Sequence, residues 1–383
     1  MVNKNNTAQS APKRKKKKVA MALFSVLLSI LGILFIGFLL LLINSPGKLE
    51  PLKDGQGNVI QGSISEKAWV EINNVKQGMF IRSENPENPV VLYLHGGPGV
   101  PLLQFISYLE KSERLEKYFT VCYWDQRGAG MTYSKSTDPS TMTLDQMVED
   151  TREVTEYLKS RFGQDKIYLI GHSWGSYLGV KTIEKYPENY LAYIGIGQVS
   201  NSKESERMSY EYMQSRAKDE DDKDVIAKLQ KYDPYADDFP SLDYLAKVRT
   251  DILNKYGIGH IHEGYSFQGV LKSLFLFKGY TLGEKINWFL GADFSLIHLM
   301  PIPMGDDLFV SSPKFEVPFY VVQGDYDYMT SQVLAKKYLD FLEAPKKEYF
   351  AFANSAHSPN MEEPEKFIEV LRKIAAENPL RGH

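Results

Sequence analysis

Cysteine is nearly absent from this chain. The single Cys122 stands in an apolar, strand-like run, Thr120 to Trp124. One thiol cannot close an intramolecular disulfide, and no metal site can be built on cysteines. Cys122 therefore reads as a buried core thiol. Acidic residues are missing from positions 1 to 18, which hold seven Lys or Arg (Lys4, Lys13, Arg14 and Lys15 to Lys18). The net charge of −3 thus divides into a basic tail and a remainder near −10. A remainder that acidic offers no basic patch, which excludes nucleic acid as a partner of the folded part.

Charge of either sign is missing from Val19 to Ile43, a run of 25 residues rich in Leu, Ile and Phe. At 1.5 Å per residue such a helix spans ~37 Å, enough to cross a bilayer with some tilt. The basic cluster on its amino-terminal side predicts a cytoplasmic amino terminus and an extracytoplasmic remainder. A secretory signal has an apolar region of only about 7 to 15 residues and a small-residue cleavage site. Here the run is longer, and Leu41-Leu42-Ile43-Asn44-Ser45-Pro46-Gly47 contains no A-x-A site. No cysteine follows to carry a lipoprotein anchor. The expectation is an uncleaved, single-pass anchor in the cell membrane, with residues 1–18 as a cytoplasmic tail and 19–43 in the lipid. Residues 44–63, with Pro46, Gly47, Pro51, Gly55, Gly57 and Gly62, read as a linker.

Hydrophobic residues make up 43% and charged residues 24% of the chain, the balance of an ordinary folded protein. From Ile64 the pattern alternates. Ala68–Ile72 and Lys76–Arg82 flank Asn73-Asn74, a hairpin signal. Val90–Leu94 is a buried strand ending in His95-Gly96-Gly97-Pro98-Gly99, where three glycines let backbone N–H groups approach a ligand. Thr120–Trp124 is a strand followed by Asp125-Gln126-Arg127-Gly128-Ala129-Gly130; Arg127 there could bind a substrate carboxylate or form an ion pair that holds the loop. A helix follows from Thr143 to Phe162. Ile167–Ile170 then leads into Gly171-His172-Ser173-Trp174-Gly175 and an amphipathic run to Tyr186. Strand, G-x-S-x-G turn and helix are the context of a nucleophile elbow, in which a cramped turn holds the serine hydroxyl above a sheet edge. Tyr193–Val199 reads as another strand. Alternating strands and helices predict a mostly parallel sheet covered on both faces, an α/β fold.

The alternation breaks over residues 200–312, helical and first highly charged, then aromatic from Phe267 to Met300. We read this as an inserted cap between the first part of the core (64–199) and a second part (313–383). The aromatic half is cap-to-core packing or an apolar pocket. Regularity resumes with Val317–Val322, Gly324-Asp325-Tyr326-Asp327, a helix over Ser331–Leu342, a strand over Tyr349–Phe352, Ala356-His357-Ser358, and a last helix over Pro364–Ala376. Ser173, an acid after the 317–322 strand, and His357 occur in the chain order of an α/β-hydrolase triad. Spacing alone leaves Asp325 and Asp327 both open as that acid.

Together the His95–Gly99, Asp125–Gly130, Gly171–Ser176, Gly324–Asp327 and Ala356–Ser358 segments resemble prolyl iminopeptidases and related α/β-hydrolase peptidases. The similarity covers about residues 64–200 and 313–378 and is faint across the cap. The resemblance implies an α/β-hydrolase fold with Ser173 as nucleophile, Asp327 as triad acid and His357 as base. It implies an oxyanion hole from the backbone N–H groups of Gly97 and Trp174, release of an amino-terminal residue from short peptides, and no metal or cofactor. An aminopeptidase holds the substrate's α-ammonium with cap acids. Glu263, in His260-Ile261-His262-Glu263-Gly264, and Glu204 are the candidates, each also readable as a solvated surface carboxylate. His260 and His262 lack a clear third ligand for a metal. An esterase or lipase-like hydrolase of small acyl esters or amides is the competing function, using the same triad beneath an apolar cap.

Overall fold

The structure, a computed structural model, describes residues 11–109 and 113–380. Residues 1–10 of the basic tail, with Lys4, and 381–383 of the carboxyl-terminal segment lie outside the described residues. Strands β1 (Ile64–Ile72), β2 (Val75–Ser83), β3 (Val90–Leu94), β4 (Thr120–Trp124), β5 (Ile167–His172), β6 (Tyr190–Ile196), β7 (Phe319–Gly324) and β8 (Lys347–Phe352) form one sheet. Their order is β1-β2-β4-β3-β5-β6-β7-β8. β2 is antiparallel to both β1 and β4, and every pairing from β4 across to β8 is parallel. The β1–β2 turn is the Asn73-Asn74 pair at φ 46° and 62°, the left-handed region that asparagine tolerates.

Period-2 alternation sorts the strands' side chains between the two faces. Val90, Leu92 and Leu94 join Cys122, Trp124, Ile167 and Leu169 on one face. Val91 and Tyr93 join Val121, Tyr123, Tyr168 and Ile170 on the other. The helix Leu144–Phe162 covers the first face through Met147, Val154 and Leu158. Its start is capped by the Thr143 side chain, which accepts from Gln146 N at 3.2 Å, and it ends at Gly163 with φ 64°. The helix Pro364–Glu377 covers the second face through Phe367, Ile368 and Leu371. Burying each such side chain contributes roughly 1.5–3 kcal/mol. Cys122 lies within this core, and burial pushes its thiol well up.

β6 begins and ends three residues earlier than the pattern over 193–199 indicates. Gly197, at φ 55°, turns the chain off the sheet, so Gln198 and Val199, although buried, belong to the loop above its edge. Between β6 and β7 the chain forms the cap. Its first half has its own core of Tyr210, Met213, Phe239 and Tyr244. Its second half, the helices Phe267–Leu276 and Leu282–Leu299 with the turn between them, sends Leu274, Phe277, Tyr280 and Trp288 into the sheet's second face. Much of the aromatic stretch is therefore cap-to-core packing.

Ala11–Ile43 is one continuous helix, and from Val19 to Ile43 its side chains are exposed apart from half-buried Leu41. Residues 44–63 are laid along the domain rather than hanging free. Leu52 is buried, Lys48 N donates to Lys278 O at 3.0 Å, and Pro46 bridges Thr281.

Candidate active site

The parallel strands β3, β5, β6, β7 and β8 end at the same edge, where an open α/β sheet has its ligand crevice. At the end of β5, Ser173 has φ 55° and ψ −119°, a region costly for a residue with a side chain. Its N–H donates to Ile196 O at 2.9 Å, so β6 holds the turn. The flanking glycines are required by close approach. A Cβ on Gly171 would stand 2.2 Å from Gly175 O, and one on Gly175 would stand 2.2 Å from Leu94 O. The elbow thus presses the helix Trp174–Lys185 against the end of β3, which a side chain at either position would prevent.

Asp327 and His357 meet beside this turn. His357 Nδ1 lies 2.8 Å from Asp327 Oδ2, and both side chains are buried. The Asp327 carboxylate is fully ligated. Oδ1 accepts from Met329 N and Thr330 N at 2.9 and 3.0 Å; Oδ2 accepts from Gln323 Nε2 at 2.7 Å and Thr330 Oγ1 at 3.0 Å. Asp325, equal to Asp327 by spacing, is exposed. The backbone of His357 is fixed from two sides. Its N–H donates to Gly259 O in the cap at 3.1 Å, and its carbonyl accepts from His172 Nε2 at 2.9 Å. Burial lowers His172 to about 3, so its ring is neutral and keeps the Nε2 proton that this bond needs.

The glycine-rich loops interlock around the elbow. His95 Nε2 accepts from Gln126 N at 3.2 Å, so its Nδ1 proton faces Gly96 O at 2.9 Å. Burial lowers His95 to about 4, preserving that neutral form. Gln126 Nε2 donates to His95 O at 3.1 Å while its Oε1 accepts from Trp174 Nε1 at 3.0 Å. Asp125 Oδ2 accepts from Met131 N and from Tyr280 of the cap at 2.8 and 2.7 Å, and burial raises its carboxyl to about 7. Arg127 points away from the site into a buried ion pair with Asp150 at 2.6 Å; it holds the loop.

Above these groups lies a cavity of about 500 Å³, lined by Gly97, Ser173, Trp174 and His357 from the core. Phe267, Val270, Trp288 and Leu296 enclose it from the cap. That size suits a small organic ligand.

Residues 89–364 match a family described as the alpha/beta hydrolase fold. This chain belongs to the α/β-hydrolase family. Over 315 residues the hydrolase is 34% identical to a protein named "Probable aminopeptidase YbaC" from Bacillus subtilis (strain 168), covering 82% of this chain and 97% of that one. A proline iminopeptidase of Saccharolobus solfataricus is 27% identical over 295 residues, 75% of this chain and 84% of its own. Among solved structures, the proline iminopeptidase of Mycobacterium smegmatis superposes with a TM-score of 0.60 at 15% identity, over 82% of this chain and 98% of that one. The hydrolase is thus similar in sequence to proteins named as aminopeptidases and proline iminopeptidases.

Two acids expected in the hydrolase's substrate site are placed elsewhere. Glu204 is half exposed and pairs with Arg207 at 3.4 Å; Glu263 is exposed. Neither lines the cavity. Glu206, two residues beyond Glu204 on the helix Ser202–Asp219, does. Two residues turn a helix by about 200°, so the one faces solvent when the other faces in. Glu206 is buried and paired with Arg249, which also lines the cavity. A charged pair on helical cap segments was the only signal the sequence held for it, and the register that points it inward comes from packing. His260 and His262 are engaged locally, stacked on Tyr265 and Tyr326 at 5.0 and 3.7 Å. Among the described residues, no group of three or more His, Cys, Asp or Glu is placed to hold a metal.

Proposed function

We propose that this α/β-hydrolase is a membrane-anchored serine aminopeptidase of prolyl iminopeptidase type that releases amino-terminal residues from short peptides. The observation that carries the catalytic part is the 2.8 Å His357–Asp327 contact beside the strained Ser173 turn, within one cavity. Ser173 Oγ attacks the substrate carbonyl carbon while His357 Nε2 takes the hydroxyl proton. Asp327 holds the imidazole tautomer and stabilises the imidazolium. The carbonyl oxygen becomes an oxyanion facing the backbone N–H groups of Gly97 and Trp174, the latter at the positive end of the helix Trp174–Lys185. His357 then protonates the leaving amine as the C–N bond breaks, leaving an acyl-enzyme. Water, deprotonated by His357, attacks the ester, and Ser173 leaves with the proton returned.

Two observations support the anchor. The Val19–Ile43 side chains are exposed and apolar, and the basic cluster before them favours an amino terminus on the cytoplasmic side. The peptidase reading draws on the relatives' names and on Glu206 as a carboxylate at the cavity wall. The apolar enclosure, and the Glu206 charge already met by Arg249, favour the second reading, an esterase of small acyl esters or amides. The test uses the full chain in detergent, with Ser173→Ala as background control. Substrates are a prolyl amide, its N-acetylated form and a short acyl ester. Cleavage of the free amine alone supports the aminopeptidase. Preference for the ester, indifferent to a free amine, establishes the esterase instead. Activity retained in Ser173→Ala refutes both.

A further inference from the structure

Two cap helices are apolar on faces that the fold leaves uncovered. Leu282–Leu299 buries Trp288 and Leu299 on one side. On its other side it exposes Ile286, Phe289, Leu290 and Ile297, with Ile286 at 54% and Ile297 at 56%. Their spacing places all four on a single stripe, about 16 Å long at 1.5 Å per residue. Asp293 is an exposed acid within it. The neighbouring Phe267–Leu276 is a short apolar helix that exposes Phe267 at 59%, together with Leu271 and Leu276. An exposed apolar stripe on the longer helix, with further exposed apolar side chains on the shorter one, marks an interaction site.

The path of the chain indicates what covers it. Lys285 Nζ donates to Asn44 O and to Phe275 O, each at 2.7 Å. One ammonium thereby ties both helices to the residue that follows the Val19–Ile43 segment. Pro46 bridges Thr281, the cap of the longer helix. Pro46 lies three positions after Ile43, a reach of at most about 11 Å. The uncovered faces therefore begin beside the point where the apolar segment ends.

We propose that this face of the cap lies in the headgroup interface of the bilayer that holds residues 19–43, so that amphiphilic substrates enter the cavity from the membrane. The proposal rests on the anchor reading above. An interfacial helix sits roughly 5–10 Å into the headgroup and acyl boundary, shallow enough to keep Asp293 hydrated. Phe267 and Trp288 wall the cavity from these same two helices, and Phe267 is also exposed at the outer face, so one side chain links the cavity to the proposed interface.

The test uses the full chain in phosphatidylcholine–phosphatidylglycerol vesicles. Three variants each carry one environment-sensitive fluorophore: Leu290→Cys on the stripe, Leu31→Cys in the anchor, and Lys314→Cys before β7 at the opposite sheet edge. The native Cys122 is fully buried and escapes labelling. With spin-labelled lipid present, the Leu31 and Leu290 reporters are expected to be quenched and the Lys314 reporter to stay bright. Quenching at Leu31 but not Leu290 overturns the proposal while leaving the anchor intact. No quenching at Leu31 removes the anchor and the proposal with it. An unquenched, concentration-dependent blue shift at Leu290 shows that a second copy covers the stripe, and also overturns it. Ile286→Glu/Leu290→Glu is expected to lose on the order of tenfold in kcat/KM on a vesicle-borne long-chain substrate and nothing on a soluble one. Equal loss on both substrates overturns the membrane role.

Discussion

Glu206→Gln isolates the charge that the cap contributes to the cavity wall. Arg249 Nε donates to Glu206 Oε2 at 2.7 Å, and its Nη2 lies 2.5 Å from Oε1. Nη2 also donates to Met329 O at 2.7 Å, two residues from Asp327. The pair thus ties two cap segments to the loop that carries Asp327. Burial pushes the Glu206 carboxyl up and Arg249 pulls it down. The glutamine keeps the shape and one acceptor but leaves a buried guanidinium without its counter-charge, a loss of about 3–5 kcal/mol. With an unfolding entropy near 2.1 cal/mol/K per residue over roughly 330 folded residues, the expected fall in Tm is about 4–7 °C. Calorimetry on the purified full chain measures it. Replacing both partners, Glu206→Leu with Arg249→Met, removes the charge as well as the bond and is expected within about 2 kcal/mol of the parent. A loss under about 1 kcal/mol for Glu206→Gln would refute the reasoning, because it would mean the guanidinium is solvated.

Asp125, raised to about 7 from 3.8, keeps its proton in the folded state where the unfolded chain has lost it. Its contribution is therefore fully present below about pH 4 and falls as pH rises to about 7. Asp125→Asn should gain on the parent across that window by up to about 4 kcal/mol, read by denaturant unfolding at several pH values; a flat difference refutes it. His95 and His172, lowered to about 4 and 3, act in the opposite sense. Their stability is present above the unfolded value near 6.5, and each loses about 1.4 kcal/mol per unit as pH falls below it, so His172→Gln should flatten the acid limb. Gly197→Ala adds a Cβ 2.7 Å from His357 Cε1 at a φ of 55°. Its expected cost is about 1–2 kcal/mol of backbone strain and a fall in kcat of at least tenfold, with parental kcat as the contrary result. Asp327→Asn should lower kcat by about 10³–10⁴ and Asp325→Asn by less than about twofold; equal effects contradict the assignment of the acid.

The strands were legible because their side chains alternate and turn residues bound them. Asn73-Asn74, Gly163 and the elbow glycines mark points where only certain backbone angles or distances are possible, and such local constraints are written in local sequence. The long exposed helix through Val19–Ile43 was legible for a similar reason, since an uncharged apolar run of that length has few other uses. The order Ser173, Asp327, His357 placed three residue types at three strand ends. Spacing alone left open which carboxylate after β7 faces the histidine, and only the family resemblance implied Asp327. Asp325 and Asp327 differ by the geometry of one turn, and the tertiary structure buries only the second. The cap acid was missed for a related reason: the sequence offered Glu204 and Glu263, and the carboxylate at the cavity wall is Glu206. Glu204 and Glu206 share a helix, and the core it packs on sets which one turns inward. The placement of residues 44–63 along the cap also follows from contacts between segments more than 200 positions apart. Sequence by itself determined most of the elements and their order. Burial, pairing of distant charges and the outward apolar stripe depend on which faces meet, and only the tertiary structure decides that.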